Sequence, residues 1–473
     1  MTTTNPNHEF RLLLDGKLAT GASEMIVMNP ATGGALTSCP RADREQLEEA
    51  VQAAKRAFSS WSVTPFAKRK DALLALADAL SARTEQFARI LTQEQGKPLG
   101  DAEGEVAESV NLLRGFAAMD LSPRVLRDVE HELIIQQDAP LGVVAVITAW
   151  NFPLWLLTVK LAPALLAGNT VVAKPAPTTP LSSLLFGELC AQLLPPGVFN
   201  VITDQNDLGD ALTGHPDIAK ITFTGSTQTG RKVMAQAAGT LKRITLELGG
   251  NDPAIVMEDA DVAETAAKIF AGAMINAGQL CTAIKRVYVP ARKYDAMCEE
   301  LVRLADRVIL GDGMDVTTQM GPVQNQAHFD RMNSLLESAS KEGTVIAGGY
   351  ALERPGYFVR PTVVRDIDHK ARLVREEQFG PILPVLAYDT PEEAITRAND
   401  SIYGLTATVW GRDTHRALEV AKHLECGTVW VNRHLELPMD IAVGGVKQSG
   451  LGVELGAEGL REFTQRRIVN VGR

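Results

Sequence analysis

Residues 142–174 read GVVAVITAWNFPLWLLTVKLAPALLAGNTVVAK. The run opens and closes on short β-branched stretches, Val143–Ile147 and Thr170–Ala173, with a longer apolar stretch between them. Parallel strands cannot be joined by a tight turn, so this rhythm predicts a strand–helix–strand unit. The 21 uncharged residues between Asp138 and Lys160 are numerous enough to cross a bilayer. Asn151 and Pro153 fall mid-segment, where they would leave backbone groups unsatisfied in lipid, so a buried strand–turn–helix is expected instead.

The rhythm extends downstream. Phe199–Ile202, Ile218–Phe223 and Ile244–Leu248 alternate with the helix-like stretches Ser182–Leu194 and Thr227–Ala238, the pattern of a doubly wound α/β sheet. A second series runs from Ala254–Val256 through the helix-like Val262–Ala277 to about residue 432, with strand candidates at Arg286–Val289 and Thr428–Val431. Upstream, the N-terminal third reads as helices. Asp43 with Gln46 resembles a capping box, Leu47, Val51, Ala54 and Phe58 follow at helical spacing, and Pro65 opens a second run through Leu73, Leu76 and Leu80. Between Pro123 and Pro140, apolar residues interleaved with Arg, Glu and Gln predict a hairpin, and Arg467–Val471 a terminal strand.

The 473 residues suggest about three domains, or two large ones. Hydrophobic content of 45% and charged content of 22% exclude a largely disordered chain. With 47 basic and 57 acidic side chains the net charge is −10, and no Lys/Arg tract is present, so neither nucleic acid nor a membrane is expected as partner. Five cysteines, none in a CxxC pair, form neither a disulfide framework nor a zinc site, and no metal is expected. Met1–His8 has no basic or apolar targeting region, which points to the cytoplasm.

Four segments have the residue types that chemistry needs. Gly225-Ser-Thr-Gln-Thr-Gly230 follows a strand and opens a helix, where backbone amides suit a phosphate; glycine and serine are also ordinary turn and cap residues. Neither the GxGxxG nor the GxxxxGK[ST] spacing occurs at this segment. Cys281 lies just past Gly278, in a turn-like setting, and is either a nucleophile or a packed thiol. Glu247 ends a strand, either as a general base raised by desolvation or as a cap. Asn151, after Trp150, is either an oxyanion donor or a helix N-cap. Lys174 also ends a strand, within reach of a cofactor hydroxyl or in solvent.

Taken in order, Trp150-Asn-Phe-Pro153, Lys174-Pro175, Phe223-Thr-Gly-Ser226, Glu247-Leu-Gly-Gly250, Gly278-Gln-Leu-Cys281 and Glu376-Glu-Gln-Phe-Gly-Pro381 resemble the aldehyde dehydrogenase superfamily, over residues 12 to 471. The resemblance implies two doubly wound α/β domains plus a small β oligomerisation flap. Residues 1–121 and 141–248 would bind the nicotinamide dinucleotide, 249–449 would be catalytic, and 122–140 with 450–473 would assemble a homodimer or homotetramer. It implies oxidation of an aldehyde to a carboxylic acid: Cys281 as nucleophile, Asn151 and the Cys281 N–H at the oxyanion, Glu247 activating the deacylating water, Glu454 relaying protons. Trp150, Lys174, Gly225, Ser226, Gly230, Glu377 and Phe379 would meet the cofactor, and Trp155, Leu156, Val159, Arg433 and His434 the substrate tunnel. Glutamate at 247 favours hydrolysis over acyl transfer to coenzyme A; a catalytically silent nucleotide-binding member is the third reading. Pro177 replaces the glutamate that many members place against the adenosine ribose, so NAD is preferred with NADP or dual use close behind. Ala442-Val-Gly-Gly445 replaces the usual Pro-Phe-Gly-Gly beside the substrate loop.

Overall fold

In the computed structural model, which describes residues 8–473, Val143–Ile147 forms the centre of an eight-stranded sheet. Five strands run parallel: Val143–Ile147, Thr170–Lys174, Phe199–Val201, Ile218–Thr224 and Arg243–Glu247. Numbered along the chain, they lie in the order 3-2-1-4-5. The order therefore reverses between Val143–Ile147 and Ile218–Thr224, and an open α/β sheet binds its ligand at the carboxyl ends of the strands flanking such a reversal. Trp150-Asn151 leaves one of these ends and Gly225-Ser226 the other.

The crossover Pro153–Ala167 is buried at every position except Trp155, which explains its lack of a polar face. Its 15 residues span about 22 Å, short of a bilayer core. Among the described residues no helix is long and apolar enough to cross a membrane. Pro153 opens this helix at a position where its missing N–H costs nothing, and Gly168 ends it in the left-handed region at φ 96°.

A seven-stranded sheet follows, with six parallel strands from Asp252–Val256 to Thr428–Val431 and Thr344–Ala347 antiparallel at one edge. A three-stranded sheet joins Arg124–Val129, Glu132–Pro140 and the terminal strand Thr464–Gly472. Gly450–Leu451 pairs instead with Arg243–Glu247, so the start of the expected 450–473 element is an edge of the first sheet.

Two expectations are corrected. The N-terminal third is helical only from Arg44; before it lie four short strands, and Leu12–Leu14 pairs with Phe199–Val201. Asp15-Gly16, at φ 49° and 76°, makes the two-residue turn between the first pair, a hairpin signal the helical reading passed over. The helix expected over Val262–Ala277 stops at Met274, because Asn276, Ala277 and Gly278 are all left-handed. Asp43 does cap its helix at the Gln46 N–H, but the Gln46 amide turns to Thr20 and Ala22, leaving the box half made.

Candidate active site

The carboxyl-end loops of the first sheet face the amino-end loops of the second across a cavity of about 1040 Å³. Trp150, Asn151, Glu247, Cys281, Glu377 and Phe379 all reach its wall.

Cys281 sits beyond the left-handed run Asn276-Ala277-Gly278 (φ 49°, 54°, 71°). Non-glycine residues in this region cost on the order of 1–3 kcal/mol each, so the surroundings must hold them. They do: Asn276 Nδ2 donates to the Asn151 and Gln279 carbonyls at 3.1 and 3.3 Å, Gln279 Nε2 to the Asn276 carbonyl at 2.9 Å, and the Gln324 N–H to Gln279 Oε1 at 2.8 Å. Cys281 is half-buried and lines the cavity. Burial pushes its pKa well above the usual value, and the Glu247 carboxylate pushes the same way while Lys285 opposes.

Glu247 ends the strand Arg243–Glu247, and its carboxyl is pushed up to about 8, first by burial and then by the neighbouring Glu454 carboxylate. Its Oε2 is buried and has no partner among the described residues. Glu454 is ion-paired with Lys160, a fully buried lysine on the crossover helix, and Lys160 partly offsets the rise at Glu247.

Asn151 is 4% exposed, and its Nδ2 donates to the Gln279 carbonyl at 3.1 Å. It is not the cap of the following helix. Phe152 occupies the cap position, and Glu105 Oε1 accepts from the Leu154 and Trp155 N–H groups at 3.0 and 3.2 Å. The other Glu105 oxygen pairs at 2.5 Å with Lys97, whose Nζ also donates to the Asn151 carbonyl at 3.0 Å and stands 3.5 Å from the centre of the Phe152 ring.

The remaining wall suits a dinucleotide. Gly225, Ser226, Thr227 and Gln228 present the open N-terminus of the helix Thr227–Ala238, a ready anion site. Glu377 Oε1 accepts from the Gly250 N–H at 2.9 Å, and a Cβ at Gly249 would collide with this carboxylate, so glycine there makes room for it. Phe379, left-handed at φ 54°, packs edge-on against Trp150 at 5.4 Å; His328 donates to the Phe379 carbonyl at 2.6 Å, and burial lowers its pKa to about 4, leaving it neutral.

Other expected positions stand off the cavity. Lys174 is neither in the wall nor in solvent but pairs with buried Asp204 at 2.7 Å. A Cβ on Gly230 would meet the Leu248 side chain at 2.5 Å, so this glycine lets helix and strand pack closely. Trp155 and Leu156 line the tunnel, whereas Val159 lies in the core. Arg433 pairs with Glu436 at 2.6 Å on the surface, and His434 packs on Trp430 with its pKa lowered to about 3 by burial, so neither brings a free cation to the mouth. Leu435–Met439 forms that part of the wall instead. Among the described residues no three His, Cys, Asp or Glu gather to hold a metal.

Sequence reasoning passed over Lys97, Glu105, Lys160 and Lys285. Lys160 carries a usable signal, being the one charge inside an otherwise apolar stretch; the other three look like solvated surface residues.

The sequence pattern of the Aldehyde dehydrogenase family matches residues 18–469. Betaine aldehyde dehydrogenase of Vibrio vulnificus (strain YJ016) is 37% identical over 461 residues, covering 96% of this chain and 95% of that protein. Retinaldehyde dehydrogenase 3 of Homo sapiens is 39% identical over 457 residues, covering 94% and 88%. A crystal structure of betaine aldehyde dehydrogenase from Staphylococcus aureus in complex with NAD+ superposes with a TM-score of 0.95 at 34% identity, covering 98% of this chain and 95% of that one. Fold, site and these likenesses agree: the chain belongs to the aldehyde dehydrogenase family.

Proposed function

We propose that the chain oxidises an aldehyde to the free carboxylic acid, with the acyl group carried on Cys281. The Cys281 thiolate adds to the carbonyl carbon, and the oxygen that becomes negative is held by Asn151 Nδ2 and the Cys281 N–H. A bound NAD+ supplies the two-electron acceptor for oxidation of this adduct to a thioester. Glu247 then takes a proton from water as that water attacks the thioester, and Glu454 with Lys160 passes the proton onward. The observation that carries this reading is the convergence of Asn151, Glu247 and Cys281 on one cavity, with the acidities of the thiol and the carboxyl coupled.

NAD+ is favoured as cofactor. The Staphylococcus aureus relative was solved with it, and Lys174, the lysine matched to the family's ribose contact, is already neutralised by Asp204. With Pro177 in place of a carboxylate, NADP+ is the secondary cofactor. The division into a dinucleotide-binding part (1–121 and 141–248), a catalytic part (249–449) and assembly elements (122–140 and 450–473), and a cytoplasmic setting, belong to the same reading. The outer strand Arg124–Val129 exposes Val125, Leu126 and Val129 at an unpaired edge, which suits docking of a second copy in a homodimer or homotetramer.

Cys281→Ser should abolish aldehyde-dependent formation of reduced nicotinamide, and Glu247→Gln should give one burst and then stall with a trapped thioester. Acyl-CoA formation on adding coenzyme A, or turnover undiminished in Cys281→Ser, would refute the reading.

A further inference from the structure

The carbonyls of the nucleophile turn converge on one buried ammonium. Lys285, 3% exposed, is the second residue of the strand that follows the turn, and its Nζ donates to the carbonyls of Leu280 at 2.9 Å, Cys281 at 2.6 Å and Ala283 at 3.2 Å. Its only ion-pair partner among the described residues is Glu377, 3.9 Å away. A buried ammonium is costly, and three neutral carbonyls offset that cost less well than a carboxylate in contact would. A neutral donor would satisfy the same carbonyls more cheaply; the charge lowers the pKa of two buried carboxyls, Asp252 and Glu377, and a second use for it lies at the turn.

The peptide joining Leu280 to Cys281 supplies that use. It is planar and trans, so its C=O and N–H point in opposite directions. Anchoring the Leu280 oxygen on Lys285 fixes the Cys281 N–H away from the lysine. That N–H finds no acceptor among the described residues. A cation at the oxygen end also draws electron density from the nitrogen, which makes the N–H a stronger donor in a low-dielectric site. We propose that Lys285 is a positioning residue of the oxyanion hole: it orients and polarises the Leu280–Cys281 peptide so that the Cys281 N–H meets the developing oxyanion. The same ammonium opposes the rise in the thiol's pKa, which assists thiolate formation at the same place. The assignment rests on the aldehyde-oxidising reading given above.

The test separates an oxyanion effect from simple disturbance of the sulfur. Full-length Lys285→Met and Lys285→Gln are mixed with saturating NAD+ and an aldehyde that the native chain oxidises, and the first-turnover formation of reduced nicotinamide (the burst) is timed across pH to its own high-pH plateau, where the thiol is fully ionised. In parallel, Cys281 alkylation by iodoacetamide is followed across pH to its high-pH plateau. Alkylation passes through no oxyanion, so its plateau reports only the thiolate and its accessibility. The burst should slow by roughly 10- to 100-fold in Lys285→Met and less in Lys285→Gln, which keeps a donor at the carbonyls, with plateau alkylation changed by less than about threefold. An unchanged burst, or equal losses in burst and plateau, would overturn the assignment. If Lys285→Met does not fold, judged by thermal unfolding and NAD+ affinity, Lys285→Gln carries the test on the same criteria. A native chain that is alkylated normally but forms no reduced nicotinamide with any aldehyde would overturn the aldehyde reading, and this assignment with it.

Discussion

Glu247 shows how one carboxyl acquires its task from neighbours remote in sequence. Burial is the main cause of its rise to about 8, and the Glu454 carboxylate adds to it. Deacylation needs the ionised form, so the rate of thioester hydrolysis should climb with pH through a midpoint near 8. Glu454→Gln removes a like charge and frees Lys160 to favour the carboxylate, and both effects lower the pKa of Glu247. The midpoint should therefore move to lower pH, read from single-turnover hydrolysis of the acyl-enzyme; a move upward would show that the Glu454–Lys160 pair acts otherwise. Of these residues, Glu247 stood out in the sequence because it ends an apolar strand. Lys160 offered only the signal of a lone charge in an apolar stretch, and its partner is a glutamate 294 positions away.

At the scale of the element, the turn Trp150–Pro153 is held by a buried ion pair from another helix. Glu105 caps the crossover helix and neutralises Lys97, which in turn holds the Asn151 carbonyl. Glu105→Gln leaves Lys97 buried without a counter-charge and should destabilise the fold by about 3–5 kcal/mol, measured by denaturant unfolding. The acylation burst should slow as well, because Asn151 loses its anchor. Strand and helix alternation was readable because hydrophobic period alone decides it, as at Thr227–Ala238, where expected and observed limits coincide. What escaped reading depends on backbone sign: the Asp15-Gly16 hairpin and the left-handed residues that end the helix at Met274. Asparagine and alanine at 276 and 277 announce no such turn, and only the hydrogen bonds around them hold it.

In the whole molecule, two doubly wound sheets face each other across the cavity, and a third sheet, unpaired at both of its edges, stands apart from it. Light scattering at micromolar concentration should give a dimer or tetramer, and lysines at Val125 and Leu126 should lower that mass with little loss of fold, because both side chains are already exposed. A native monomer would contradict the assembly reading. The general layout was legible because both series of strands keep their rhythm. The strand order was not, since order depends on which edges meet in space.

The bonds that shape the nucleophile turn join partners 125 and 128 residues apart, and the ion pair behind Glu247 waits for residue 454. A ribosome therefore releases most of the polypeptide before any of this machinery exists. Chains extended past residue 281 but short of residue 454 carry Cys281 without the ion pair that stands behind Glu247. Reactivity is switched on by completion of the fold, and proteolytic loss of the last twenty residues should switch it off again.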